Sequence, residues 1–380
     1  MKNSIKKLVL CMICSTMILF SKSVKAEAQI DIISGDCNTG VIKQDGSLWM
    51  CGNNSYGQLG NGKKGGNQRK LIKVMANIKQ IGIGGSHTGI VKTDGSLWVC
   101  GNNEFGQLGD GTTTDKSAPK KIINNVRSVS LGQYHTGFIK QDGSLWMCGD
   151  NEYGQLGDGS MEDTSVPRKI MNGVDSVILG YYHTAIIKQD RSLWMCGWNE
   201  YGQLGDGTTK DRETPKKIMD GVAAVSLGFR HTAIIKQDGS LWMCGNNICG
   251  GLGDGTTKNR SIPQKIMNNV AAVSLGGDST GILKTDGSLW MCGDNEFGQL
   301  GDGKGKHLKK PKKIMENVAN ISVGGEHTAV IKKDKSLWVW GNNQYGQLGV
   351  GTKDNYFSPK KISVFFCKEN IYICTIKNCF

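Results

Sequence analysis

Between residues 174 and 219 the apolar and polar positions change rhythm four times. Residues 174–179 alternate apolar with small or polar side chains and stop at Gly180, which predicts a strand. Residues 183–187 predict a second strand, and Gln189-Asp190-Arg191-Ser192 a tight turn. Residues 192–197 are apolar through Leu-Trp-Met-Cys, so this third strand is expected to be covered on both faces. A glycine-rich loop follows over 198–208, and Pro215-Lys216-Lys217-Ile218 predicts a short fourth strand. Proline and paired lysines mark that strand as an edge, where a missing N–H and charge discourage foreign pairing.

The same sentence recurs along the chain. Trp49, Trp98, Trp146, Trp194, Trp242, Trp290 and Trp338 are separated by 49 and then five times by 48 residues. A unit of four antiparallel strands cannot bury its apolar face alone, so seven copies must stack on one another. The expected fold is all-β, a seven-bladed β-propeller of four-stranded antiparallel blades. Helical solenoids are excluded by the period-two patterns and by 54 glycines, and no Trp-Asp dipeptide occurs.

Strand polarity sorts the connections. The Gly-x-x-His loops and the glycine-rich loops fall on one face, and the Lys-x-Asp-Gly turns on the other. The first 26 residues differ in kind: Lys2, Lys6 and Lys7 precede an apolar run over 8–20, and Val24-Lys25-Ala26 follows. This is the pattern of a cleaved secretory signal peptide, too short in its apolar part for a span of about 20 residues. The expected organisation is a signal peptide over 1–26, a propeller over 27–365 and a tail over 366–380 without a structural account. The protein is then secreted or held at a cell surface, and its composition fits a bacterium.

Removing five lysines with that segment lowers the net charge from +13 to +8. Lysines Lys43, Lys92, Lys140, Lys188, Lys236, Lys284 and Lys332 each precede an aspartate by two residues. Such alternation reads as a solvated rim rather than a phosphate-binding stripe, so nucleic acid is not an expected partner. Of 13 cysteines, Cys51, Cys100, Cys148, Cys196, Cys244 and Cys292 stand in repeat phase, which reads as packing rather than disulfide bonding. Trp340 takes that slot in the seventh unit.

Gly-x-Asn-x-Tyr-Gly-Gln-Leu-Gly-Asp-Gly stands at residues 197–207, and close versions begin at Gly52, Gly101, Gly149, Gly245, Gly293 and Gly341. With the upstream Gly-x-x-His-Thr element, the chain resembles the regulator of chromosome condensation repeat family from about residue 30 to about 362. The resemblance implies a seven-bladed propeller that binds protein partners through a loop face. The architecture is also similar to that of the exported propeller-type beta-lactamase inhibitory protein. Guanine nucleotide exchange on a small GTPase, the founding member's activity, is associated with an inserted wedge, and the uniform spacing leaves no room for one.

Recognition then falls to positions that break the repeat. The pair before each histidine position varies, and blades three to five carry Tyr134, Tyr181, Tyr182, Phe229 and Arg230, with Trp198 in the adjoining loop. These six are the candidate partner-binding residues. Two readings stay open: the rings face a partner, or they fold onto their own loops. Truncation of Tyr181, Tyr182 and Phe229 to alanine is expected to abolish capture without changing the melting temperature. His87, His135, His183, His231 and His327 are in phase; one per blade spreads them around a circle, so each is read as a loop hydrogen-bonding group rather than a metal ligand. Ser279 and Asn38 replace the histidine in two units, and Cys249-Gly250-Gly251 replaces Tyr-Gly-Gln in the fifth. Asp110, Asp206 and Asp254 open turns rather than calcium loops.

No nucleophile–base set stands out. The chain is therefore read as a non-enzymatic, monomeric protein-interaction propeller without cofactor or metal. Nucleotide exchange, or carbohydrate and cell-wall binding, are the alternatives.

Overall fold

The computed structural model describes residues 31–362 except 35–37, 345, 346, 349 and 351. The signal peptide over 1–26 and the tail over 366–380 lie outside the described residues.

Seven four-stranded antiparallel sheets follow one another along the described chain, and each is built from contiguous sequence. They form a propeller ring: blade 1 spans 31–75, blade 2 78–123, blade 3 126–171, blade 4 174–219, blade 5 222–267, blade 6 270–315 and blade 7 318–362. The described residues contain no helix. Blade 4 consists of Val174–Leu179, His183–Lys188, Leu193–Gly197 and Arg212–Met219, paired in chain order. The first strand starts and stops where the alternation predicts. The fourth is longer than Pro215–Ile218, because the polar Arg212-Glu213-Thr214 stretch also pairs, with Gly197 opposite Arg212. Such residues carry no apolar signal, and only the sheet reveals them as strand.

Apolar burial lies between blades, as a repeat without a core of its own requires. At the junction of blades 3 and 4, Leu145, Met147 and Leu156 from one side meet Val174, Val177 and Ile186 from the other. Equivalent clusters fill the other junctions from blades 1 and 2 to blades 6 and 7. In the third strand of blade 4, Leu193, Met195 and Cys196 are wholly buried, whereas Trp194 is half-buried.

That tryptophan explains the repeated Lys-x-Asp-x-Ser-Leu-Trp. Trp194 Nε1 donates to Ser192 Oγ at 2.9 Å, and Ser192 Oγ donates to Asp190 Oδ1 at 2.6 Å. The Lys188 ammonium lies 5.6 Å from the Trp194 ring centre, within cation–π reach. Other blades repeat the arrangement, for example Trp242 with Ser240, Asp238 and Lys236. The lysine and aspartate expected as a solvated rim thus hold the tryptophan from two sides. Arg191 stands at φ 67° and Lys335 at φ 66°, where other turns use glycine.

Thr184 and Cys196 fasten blade 4 to blade 3. Thr184 Oγ1 donates to the backbone oxygen of Gln155 at 2.7 Å, and Cys196 Sγ to the same oxygen at 3.6 Å. In blade 7 Trp340 Nε1 donates to Gln299 O at 2.8 Å, so indole N–H replaces thiol S–H as the donor. The in-phase cysteines are free thiols. Burial pushes the Cys196 thiol up to about 12, which leaves it protonated and inert.

Candidate partner-binding face

Each glycine-rich loop is organised by one asparagine. In blade 4, Asn199 Nδ2 donates to Asp206 Oδ1, Thr208 O and Lys210 O, while Asn199 Oδ1 accepts from Leu204 N. The loop is drawn tightly enough that a Cβ on Gly202, at φ 79°, would come 2.5 Å from Ser261 Cα of blade 5. Only glycine fits there. Although burial opposes it, Thr208 and Arg212 hold the Asp206 carboxyl down at about 2. Asp206, Asp110 and Asp254 spend their oxygens on loop groups and on cations of the fourth strand, as turn residues do.

On this braced face the six candidate residues come together. Tyr181 meets Phe229 edge-on with ring centres 4.3 Å apart, and Tyr182 at 5.6 Å. Tyr182 reaches Trp198 at 6.1 Å and Tyr134 at 6.5 Å, and Trp198 reaches Phe229 at 6.2 Å. The Arg230 guanidinium sits 4.9 Å from the Phe229 ring centre and 5.3 Å from that of Tyr201. All six are half-buried. The two readings of the sequence are therefore both partly realised: the rings lean on one another, yet each keeps exposed area. Edge-to-face pairs contribute roughly 0.5–1.5 kcal/mol beyond their burial, so truncating them also lowers stability. The expectation of an unchanged melting temperature is not compatible with this packing.

Three further rings belong to the cluster. Phe105 meets Tyr134 at 5.1 Å, Tyr153 meets Tyr182 at 5.2 Å, and Tyr201 meets Trp198 at 5.4 Å. They stand in repeat phase and read as framework in the sequence; their membership becomes visible only when neighbouring blades are placed side by side. Carboxylates border the platform. Glu104, Glu152 and Glu200 are exposed at successive loop tips. Burial pushes Asp150 up to about 6. Burial, with Tyr134 and Asp150 nearby, pushes the Tyr182 hydroxyl up to about 12.

The histidines are turned from solvent, lie against the glycine of their own loop and bond to the next blade. His87, His135, His183 and His231 are buried, and each Nε2 meets the threonine Oγ1 of the next blade: Thr136 at 2.8 Å, Thr184 at 3.3 Å, Thr232 at 3.4 Å and Thr280 at 3.2 Å. This corrects the expected loop hydrogen bond: the imidazoles join blades. Because each threonine hydroxyl donates to a backbone oxygen, it accepts from Nε2–H. Burial drives His87, His135 and His183 down to about 3 and His231 to about 4, so all four are neutral. The invariant glycine upstream has its reason here, since a Cβ on Gly180 would meet His183 Cε1 at 2.9 Å.

Seven blades of near-identical build form the ring, and one aromatic sector among their loops departs from the repeat. Residues 16–266 match the RCC1-like domain, and residues 270–299, 286–331, 318–347 and 334–373 match regulator of chromosome condensation (RCC1) repeats. The chain belongs to the RCC1-like domain family. Its fold is similar to that of human WBSCR16, with a TM-score of 0.71 and 20% identity over 83% of this chain and 94% of that one. It is also similar to yeast RCC1 (Prp20) in its structure with Kap60, with a TM-score of 0.69 and 18% identity over 83% of each chain. Prp20p of Saccharomyces cerevisiae, described with its binding properties to Gsp1p and histones, gives a TM-score of 0.70 and 19% identity over 83% of this chain and 85% of that one. At these identities the likeness is one of fold. Comparison with curated proteins returns no match.

Proposed function

We propose that this chain is an exported, non-enzymatic interaction module that holds a partner protein against the loop face of blades 3 to 5. One observation carries the reading: Tyr134, Tyr181, Tyr182, Trp198, Phe229 and Arg230 form a single connected platform across three blades. Clustered aromatics and arginine have the composition of an interface hot spot. The exposed Glu104, Glu152 and Glu200 beside it call for an apolar partner surface with basic residues at its margin. The yeast relatives are described with protein partners, which agrees with a binding role for the fold. The chain acts as a monomer in this reading.

The test is capture from culture fluid and cell surface by the purified chain, compared with a Tyr181→Ala/Tyr182→Ala/Phe229→Ala variant and with Arg230→Gln. Both are expected to lose the partner that the unmodified chain retains, while a Gln189→Ala/Gln237→Ala control on the opposite face keeps it. Equal capture by all four proteins rejects the face. Retention on insoluble glycans, removed by the same aromatic substitutions, replaces the protein partner with a carbohydrate.

A further inference from the structure

The departures from the repeat that the aromatic platform does not use converge at the junction of blades 5 and 6. Cys249 stands where other loops carry tyrosine or phenylalanine, such as Tyr153, Tyr201 and Phe297. His307 stands where Asp115, Asp163, Asp211, Asn259 and Asn355 accept a loop N–H in other blades. Asp294 occupies the position of Asn102, Trp198 and Asn246, where blade 3 also carries an aspartate, Asp150. One ligand atom from each of Cys249, Asp294 and His307 lies within 4.8 Å of the other two. His307 Nδ1 is 3.1 Å from Asp294 Oδ1.

We propose that Cys249, Asp294 and His307 form a binding site for a zinc-class divalent cation on the same face of the ring. Thiolate, imidazole and carboxylate together are a borderline-soft donor set of the kind zinc takes. Bond lengths of about 2.0–2.3 Å in a tetrahedron separate ligand atoms by roughly 3.3–3.7 Å, a spacing that small side-chain rotations supply here. The set leaves a fourth position for water or for a side chain of a partner.

The surroundings fit a cation. Asp278, Asp294 and Glu296 place negative charge around Cys249. Gly251 replaces the glutamine whose side chain braces the equivalent loop in blade 4, where Tyr201 N donates to Gln203 Oε1. The Cys249 loop lacks that brace and is held by the bonds of Asn247 to Asp254, Thr256 O, Lys258 O and Leu252 N. His307 Nδ1 now accepts from Asn295 N at 3.1 Å, a contact the cation would take over. Blade 3 offers an internal contrast: Asp150 and Asp163 occupy the positions of Asp294 and His307, but Phe105 stands in place of the cysteine.

The experiment is equilibrium dialysis of the reduced, metal-stripped full chain against zinc chloride, followed by elemental analysis. The substitutions Cys249→Tyr and His307→Asp restore residue types that other blades carry, so the repeat itself supports their folding. Expected is one zinc per chain, bound at least tenfold more weakly by each variant with unchanged far-ultraviolet circular dichroism. Failure of the unmodified chain to retain zinc, or equal retention by either variant, overturns the site. Should a variant not fold, peptide-resolved alkylation of the unmodified chain decides: zinc must slow modification of Cys249, and an unchanged rate overturns the proposal. Neither readout depends on the partner, so this site and the aromatic platform fail separately.

Discussion

Acid should open this ring well above the carboxylate range. His87, His135 and His183 are held at about 3 by burial and His231 at about 4, against about 6.5 in an unfolded chain. Below pH 6.5 the unfolded chain therefore binds protons that the folded chain refuses. Their folded values are depressed, so the stabilisation is complete above pH 6.5 and is lost as pH falls towards 3–4. One imidazole costs about 1.4 kcal/mol per pH unit once the unfolded form is protonated, and since that form is half protonated at pH 6.5, four cost about 6.5 kcal/mol between pH 6.5 and 5. Asp150 opposes this: pushed up to about 6, it takes up its proton more readily in the folded state and returns about 1 kcal/mol over the same interval. The remaining loss of about 5.5 kcal/mol matches the lower end of the whole stability of an ordinary domain, about 5–15 kcal/mol. Urea unfolding followed by tryptophan fluorescence at several pH values between about 7.5 and 5 measures it. His183→Ser, the residue type blade 6 already carries at Ser279, should weaken the fold at neutral pH yet reduce the pH slope by about a quarter. A stability that is flat between pH 7 and 5, or an unaltered slope in His183→Ser, refutes the claim that neutral imidazoles join the blades.

Other outcomes follow from single contacts. Lys335→Gly should raise stability by about 1 kcal/mol, because lysine at φ 66° occupies a turn position other blades give to glycine; a lower melting temperature counts against strain there. Thr184→Val removes the donor to Gln155 O and the acceptor for His135, and should cost about 1–3 kcal/mol in urea unfolding, whereas a loss below about 0.5 kcal/mol means the contact does not fasten blades 3 and 4. In the folded protein Cys249, half-buried with its thiol pushed up to about 11, should react slowly with thiol reagents and buried Cys196 more slowly still; equal rates would contradict the burial of the in-phase cysteines.

Much of this molecule was legible before any coordinates. Strand periods placed Val174–Leu179 and His183–Lys188, and the regular tryptophans required seven stacked units. What the periods could not supply is what joins one unit to the next. The Cys196 and Trp340 slot looked like packing of any small or large apolar group, but the shared requirement is a donor aimed at a neighbouring backbone oxygen. Likewise the histidines looked local because their partners lie about one full repeat further along the chain. Pro215 marked an edge strand, yet it also packs beneath Gly157 of the preceding blade, where a Cβ would come 3.0 Å from its Cγ. At the candidate face, the sequence points to the aromatics that break phase and not to those that keep it. Tyr182 and Arg230 stood out against their counterparts, whereas Phe105, Tyr153 and Tyr201 blended into the framework. Of Cys249, Asp294 and His307 only Cys249 stands out in the sequence, and the other two join it when adjacent loops are placed side by side.

The face assignment is tested most directly by photocross-linking. A photoreactive aromatic residue placed singly at position 181, 182 or 229 should form an adduct with the captured partner, and the same residue at 189 or 237 in the opposite turns should form none. Adducts confined to 189 or 237 would contradict the assignment and move recognition to the other side of the wheel.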